Sequence, residues 1–205
     1  MLARRLAALG TATVYEAAAH VTQLIDAPLK PLAPDMRVAG PARTVRCRPG
    51  DNLALHRVIA ASGPGDVIVV DYSDSTNSGP FGEIMAQACL QRGIAGLVTD
   101  GSVRDSAKIA AMGFPVFARG LNIRGTVKDD PGEVDLPVQI GGAHIFPGDY
   151  VIADADAVIV VAASAVEDAF RSAVARAEKE AQIMDRLRAG ETTLAILGLD
   201  QEGTS

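Results

Sequence analysis

The stretch that decides the fold is "VIVVDYSDSTNSGPFGEIMAQACLQRGIAGLVTDGSVRD", residues 67–105. It begins with an unbroken apolar run of strand length, which is typical of a parallel strand buried on both faces. A polar loop follows, and then a helix from about Pro80 to Arg92 that Gly93 ends. The segment "IAGLVT" is a second buried strand, and "DGSVRD" is a loop. The stretch therefore predicts a β-α-β unit.

The residues on either side extend this unit into one α/β domain over residues 1–205. "SAKIAAM" predicts a short helix and "FPVFA" a third strand, so the core is a right-handed, parallel β-α-β-α-β unit. After Gly120, short β runs separated by Gly-Gly and "PGD" predict antiparallel hairpins. A helical pattern from about Ala165 to Ala189 predicts a long C-terminal helix that reaches a neighbouring subunit. We expect β/β/α layers with this parallel core and these added antiparallel strands.

The N-terminal segment is predicted to be helical. Apolar residues recur at helical spacing over residues 13–25, and the preceding "MLARRLAALG" has too short an apolar run for a signal peptide. We interpret both as parts of the fold, with a helix over 13–25.

Composition narrows the class of function. The formal net charge is −6, which argues against a nucleic-acid or anionic-membrane surface, because phosphate binding needs a basic footprint. No window approaches the roughly 18 apolar residues of a membrane span. The two cysteines form no CxxC pair, and we interpret them as core residues or free thiols of a protein in a reducing compartment. We expect a cytoplasmic protein with neither nucleic-acid nor membrane partners.

Charged residues follow the predicted parallel strands at the edge where α/β proteins bind ligands. Gly82 and Glu83 fall in the first turn of a helix, where free N–H groups and the helix dipole attract an anion. Arg104 offers a planar fork for a carboxylate, and Asp105, pointing elsewhere, offers oxygen to a hard divalent cation. These residues predict a pocket for a small carboxylic acid with Mg²⁺ or Mn²⁺. The alternative is a set of solvated polar loops.

The same motif, an acid followed after twenty residues by Arg-Asp, resembles the RraA-like family. "PGDVIVVD" before it and "PVQIGGAHIFPGDYVIADADAVIVV" after it extend the resemblance over about residues 10–195. That family includes the class II, metal-dependent 4-hydroxy-4-methyl-2-oxoglutarate/4-carboxy-4-hydroxy-2-oxoadipate aldolases and the regulators of ribonuclease E activity. This chain has Glu83 where many aldolase members have Asp.

The resemblance implies a role for each motif residue. Substrate-binding residues would be Gly82, Glu83, Ile84 and Met85, which line the pyruvyl group, together with Arg104, which binds the 2-oxo acid. Asp105 would ligate the metal directly and Glu83 would hold metal-bound waters. A glutamate from the C-terminal helix of an adjacent subunit would complete the site. Glu180 matches it best, and Glu178 is the alternative.

The implied activity is cleavage of a 4-hydroxy-2-oxo acid to pyruvate, with decarboxylation of oxaloacetate as a side activity. Arg104, Glu83 and Glu180 would be the catalytic residues of a homotrimer or hexamer. One rival is a non-catalytic regulator that binds a ribonuclease or another protein, and another is an aldolase for a different 2-oxo or hydroxy acid. No side chain is assigned as the base for the 4-hydroxyl proton, and a metal-associated water near Glu83 or Glu180 is the working assumption.

Other reactive residues are interpreted as structural or solvent-exposed. His20, His56 and His144 are scattered, with His56 in a helix far from the motif, and their spacing supports no zinc site. Lys108 and Lys128 could form a Schiff base in principle, but nothing marks either as buried.

Overall fold

The computed structural model describes residues 2–199. The α-helices are α1 (Leu2–Leu9), α2 (Thr11–Ala17), α3 (Leu53–Ala61), α4 (Glu83–Gln91), α5 (Ser106–Ala111), α6 (Val166–Arg188) and α7 (Thr193–Leu197). The strands are β1 (Thr22–Leu24), β2 (Lys30–Pro31), β3 (Val38–Arg46), β4 (Val67–Asp71), β5 (Gly96–Val103), β6 (Val116–Leu121), β7 (Glu133–Val134), β8 (Val138–Ile140), β9 (Ala143–Ile145), β10 (Tyr150–Ala153) and β11 (Val158–Val161).

The main sheet is mixed, with a parallel centre and antiparallel flanks. Its strand order is β1-β11-β10-β3-β4-β5-β6-β2, and β7 pairs with β3 off this path. Strands β3, β4, β5 and β6 run parallel to one another. The predicted parallel core and the added antiparallel strands are therefore confirmed.

Strand β3 belongs to both parts of this sheet. Its first residues, Val38 to Pro41, pair antiparallel with β10, and the next, Ala42 to Arg46, pair parallel with β4. A Cβ added to Gly40 would lie 2.2 Å from the carbonyl oxygen of Gly65, so only glycine allows this close passage. The strand thus lets the sheet turn from its antiparallel part to its parallel part.

Three apolar clusters define the layers. One packs α3, α4 and α5 onto the outer face of the parallel strands, around residues such as Leu55, Met85 and Ile109. A second lies between the parallel strands and the β8–β11 region, and a third lies under α1, α2 and α6. Two facing sheet regions with helices outside give the predicted β/β/α arrangement.

Two sequence-based boundaries are wrong. The helix predicted over 13–25 ends at Ala17, and its last residues form β1, which pairs with β11. The loop predicted at "DGSVRD", residues 100–105, is largely strand, because β5 continues to Val103 and its residues are all buried. In both places, pairing with a distant strand outweighs the local pattern.

The long C-terminal helix is confirmed as α6, which at 1.5 Å per residue is about 35 Å long. Its buried residues, Val166, Ala169, Phe170 and Ala173, all lie in its first half. The second half therefore packs on no core of its own chain. None of the helices between residues 2 and 199 combines the length and the apolar character needed to cross a bilayer.

Candidate functional site

A cavity of about 140 Å³ lies at the start of α4. Its lining residues are Asn52, His56, Gly82, Glu83, Ile84, Met85, Arg104, Asp105 and Lys128. All six motif residues predicted to bind substrate or metal are therefore gathered at one place. A wider, more open cavity of about 630 Å³ adjoins it and shares Arg104 and Asp105.

The end of β5 fixes the position of Arg104. The backbone N–H of Arg104 donates to the carbonyl oxygen of Phe81 at 2.9 Å, and Phe81 forms a parallel bridge with Val103. The segment that leads into α4 is thereby held alongside the end of β5. This pairing brings the two ends of the sequence motif into contact.

The Arg104 and Asp105 side chains, in the positions they take here, occupy the space beside Gly82. A Cβ there would lie 2.6 Å from Asp105 Oδ2 and 3.0 Å from Arg104 Nε. The backbone N–H of Glu83, the first residue of α4, donates to Asp105 Oδ2 at 3.1 Å. The start of α4 is thus open to the Arg104 and Asp105 side chains.

The sequence suggested that Asp105 points away from Arg104, but the structure places the two side chains near each other. Its Oδ2 lies 3.9 Å from Arg104 Nε. Asp105 has φ 56° and ψ 32°, the left-handed region that Asp and Asn tolerate better than most residues. This conformation places both side chains on the wall of one cavity.

The oxygen donors here fit a hard divalent cation that shares its shell with water and ligand. The Asp105 side chain is 40% exposed, and its Oδ2 accepts from the backbone N–H of Glu83. Within residues 2–199, no three His, Cys, Asp or Glu side chains form a closed metal cage. Mg²⁺ keeps several waters and is commonly held by one or two carboxylates plus substrate oxygens. Asp105 and Glu83, which line the same cavity, are the residues that could hold such a cation.

Glu83 also pairs with Lys108, whose Nζ lies 2.6 Å from Glu83 Oε2. The hydrogen bond and charge of Glu83 raise the pKa of Lys108. A lysine held as an ammonium ion is a poor nucleophile, so Lys108 is not suited to a Schiff base. Because both side chains are largely exposed, the pair itself contributes little to stability.

Three further lining residues, Asn52, His56 and Lys128, come from the start of α3 and the segment after β6, and we call them the α3 wall. Gly82, Glu83, Arg104 and Asp105 form the α4 wall. The interpretation of His56 as a residue far from the motif is therefore wrong. Helix α3 follows β3 and α4 follows β4, the adjacent parallel strand, so both helices begin at the same edge of the sheet. The sequence did not reveal that β3 and β4 are neighbours, and without that strand order His56 could not be placed near the motif.

Asp51 connects the two segments that carry the α3 wall. Its Oδ2 accepts from the backbone N–H groups of Asp129 and Asp130, and its Oδ1 accepts from that of Leu53. Burial alone would raise the pKa of Asp51, but these hydrogen bonds and Arg48 outweigh it and lower the pKa to about 2. A buried, permanently charged carboxylate therefore holds the Lys128 segment against the start of α3.

Two features of the α3 wall suit a polar ligand. Asn52 is only 4% exposed; its amide nitrogen donates to the carbonyl oxygen of Pro80 at 2.8 Å, while its Oδ1 has no hydrogen-bond partner among the described residues. Partial burial and then the positive charge of Lys128 lower the pKa of His56. An imidazole with a lowered pKa and an acceptor that no described residue pairs thus line the same cavity.

Glu180 lies outside this cavity. Its carboxylate accepts from Thr13 Oγ1 at 3.4 Å and pairs with Arg176 Nε at 2.8 Å, on the face of α6 that meets α2. Neither Glu180 nor Glu178 reaches the Arg104–Asp105 pair of its own chain. The contribution of Glu180 to a neighbour's site stays a prediction.

The sequence profile of the RraA-like family (Aldolase/RraA) matches residues 11–160, so the chain belongs to that family. A protein of Halalkalibacterium halodurans named "Putative 4-hydroxy-4-methyl-2-oxoglutarate aldolase" is 38% identical over 145 residues. The matched region covers 71% of this chain and 69% of that protein.

Solved structures with this fold include proteins named in other ways. An uncharacterized protein from Pseudomonas syringae pv. tomato str. DC3000 is 27% identical, with a TM-score of 0.83 over 93% of this chain and 90% of that one. Streptomyces coelicolor RraAS2, described as an unusual member of the RNase ES inhibitor RraA protein family, is 28% identical. Its TM-score is 0.78, over 89% of this chain and 95% of that one. The fold class inferred from the sequence is confirmed.

Proposed function

We propose that this chain is a divalent-metal-dependent aldolase that cleaves 4-hydroxy-2-oxo acids, such as 4-hydroxy-4-methyl-2-oxoglutarate, to pyruvate. Oxaloacetate decarboxylation is the expected side activity. The observation that carries the proposal is the convergence of Gly82, Arg104 and Asp105 at the open start of α4. The family relationship and the aldolase name of the 38% identical relative support it.

Arg104 and the start of α4 bind the 2-oxo acid in this proposal. A guanidinium binds a carboxylate through two parallel N–H donors, and the N–H groups of a first helical turn favour negative charge. The lack of a side chain at Gly82 leaves the backbone within reach of the ligand. Ile84, which is 81% exposed, and Met85 provide apolar contact for the methylene of the pyruvyl group.

Asp105 would hold the metal directly and Glu83 would hold its waters. When bound, Mg²⁺ or Mn²⁺ acts as a Lewis acid that stabilises negative charge on the keto oxygen of the substrate. Arg104 and the α4 N–H groups are positioned to offset the same charge. The proposed division of roles is orientation by Arg104 and retention of the cation by Asp105.

The proposed enzyme acts in the cytoplasm as a homotrimer or a pair of trimers. The second half of α6 has no core to pack on within its own chain. Exposed apolar side chains, including Ile84 and the 90% exposed Ile123, border the two cavities. A subunit interface at the site would cover them, and Glu180 of one chain would complete the site of the next.

A non-catalytic regulator is the second candidate, favoured by the likeness to Streptomyces coelicolor RraAS2. A regulator that works by protein contact has no need of a metal carboxylate after the arginine. Asp105 is present here and lines the cavity, which favours the enzyme.

The test is pyruvate release from a panel of 4-hydroxy-2-oxo acids and from oxaloacetate. Each substrate is assayed with Mg²⁺, with Mn²⁺, and with EDTA followed by excess Mg²⁺. We expect release that EDTA stops and added metal restores. Release that is unaffected by EDTA, or no release from any substrate, would exclude the metal-dependent aldolase.

A further inference from the structure

The α3 wall contains a candidate for the one group that the proposed reaction lacks. Cleavage of a 4-hydroxy-2-oxo acid requires a base for the 4-hydroxyl proton. His56 lines the same cavity as Arg104 and Asp105. An imidazole whose ordinary pKa is near 6.5 is suited to accept a proton at neutral pH.

We propose that His56 is the general base of the aldol cleavage and that Asn52 orients it. This inference rests on the proposed function. Asn52 is the N-cap residue of α3, His56 lies four residues further on, and both side chains line the same cavity. An imidazole that donates one N–H to Asn52 Oδ1 presents its other nitrogen to the ligand.

The unpaired Asn52 oxygen supports this role independently. Its amide nitrogen must face the Pro80 carbonyl, which can only accept, so Oδ1 is the atom that has no partner within residues 2–199. A buried acceptor without a donor costs on the order of 1–3 kcal/mol. An imidazole N–H, and above all that of the imidazolium formed during reaction, would satisfy it.

The charged groups around His56 favour its neutral form before reaction. Lys128, whose charge acts on His56, and Arg104 both line this cavity, and both are positive. Glu83 and Asp105, on the α4 wall, are the groups assigned to the cation, whose charge would offset theirs. Lys128 and Arg104 thus disfavour a further positive charge on the imidazole, which suits a group that must accept a proton.

The proton and electron balance of the step is complete. The 4-hydroxyl O–H bond breaks and its proton moves to His56. The electron pair left on that oxygen forms the new carbonyl at C4, while the C3–C4 bond pair forms the enolate of pyruvate. The enolate takes its C3 proton from water, which completes pyruvate in either reaction, and the imidazolium releases the hydroxyl proton to solvent.

Oxaloacetate provides the control that separates the two roles. Its decarboxylation passes through the same pyruvate enolate, but no hydroxyl proton is removed. His56→Gln should lower kcat/KM for aldol cleavage by at least about 100-fold, the usual contribution of a general base, and change decarboxylation by less than about threefold. Asn52→Ala should also lower kcat/KM more for aldol cleavage than for decarboxylation, but by a smaller factor than His56→Gln. The matched control is His20→Gln, at an exposed histidine outside the cavity.

Each outcome of the experiment is decisive. Equal losses in both reactions would show a structural or binding role, and unchanged aldol cleavage would show no role; either overturns the proposal for His56. A wild type that only decarboxylates overturns it as well. A wild type that releases pyruvate from neither substrate defeats the proposed function itself, which distinguishes that failure from the failure of His56 alone.

Discussion

The two walls of the cavity differ in how the chain builds them. The α4 wall comes from one β-α-β unit, residues 67–105, whose parts are adjacent in sequence and in the sheet. The α3 wall joins Asn52 and His56 to Lys128, more than seventy residues further along the chain, through Asp51. One wall is therefore encoded locally and the other depends on long-range pairing.

The largest effect is expected from the α4 wall, at Asp105. Asp105→Asn keeps a residue that tolerates the left-handed backbone but removes the charge that holds the cation. We expect metal-dependent pyruvate release to fall by more than about 100-fold with an unchanged melting temperature. Asp135→Asn is the matched control, since Asp135 has nearly the same φ but lies outside both cavities. Activity that survives Asp105→Asn would remove Asp105 from the metal site.

The next largest effect tests whether the α3 wall depends on Asp51. The pKa of Asp51 is lowered to about 2 from 3.8. Its stabilising contribution is therefore complete above pH 4 and is lost as the pH falls through about 2. We expect Asp51→Asn to lower the free energy of unfolding by about 2 kcal/mol at pH 7, with the difference shrinking between pH 4 and pH 2.

Urea unfolding at several pH values measures this difference, with Asp35→Asn, at an exposed position, as the control. If Asp51→Asn and the wild type have the same free energy of unfolding at pH 7, other contacts hold the Lys128 segment.

A smaller effect is expected when the charge of the α4 wall is kept and its geometry is changed. Arg104→Lys retains a cation but loses the planar fork, so kcat/KM should fall by about tenfold or more. Inhibition by pyruvate should weaken in parallel. Arg37→Lys, at an exposed position outside the cavities, controls for the substitution itself. If pyruvate inhibits the Arg104→Lys protein as it does the wild type, Arg104 does not bind the 2-oxo acid.

The smallest signal comes from subunit complementation. In a trimer, co-expressed Asp105→Asn and Glu180→Gln chains should restore about a quarter of wild-type activity, because each interface has that chance of pairing an intact Asp105 with an intact Glu180. Each variant expressed alone sets the background. No recovery, or a monomer by light scattering, would place the whole site within one chain.

The difference between the two walls also explains what the sequence could predict. The apolar runs and glycines of residues 67–105 were sufficient to place Gly82, Glu83, Arg104 and Asp105 at one edge of the sheet. Nothing local indicated that β3 lies beside β4, so His56 was misjudged. Likewise, the end of the helix predicted over 13–25 is a strand because it pairs with β11.

The central claim is that the α4 wall binds a 2-oxo acid together with a divalent cation. Calorimetric titration with pyruvate, and with oxalate as a planar mimic of its enolate, tests this binding without requiring turnover. We predict binding in Mg²⁺ that is lost in EDTA and in Asp105→Asn, and binding that is retained in His56→Gln. Equal affinity with and without Mg²⁺, or no binding under either condition, would contradict the claim.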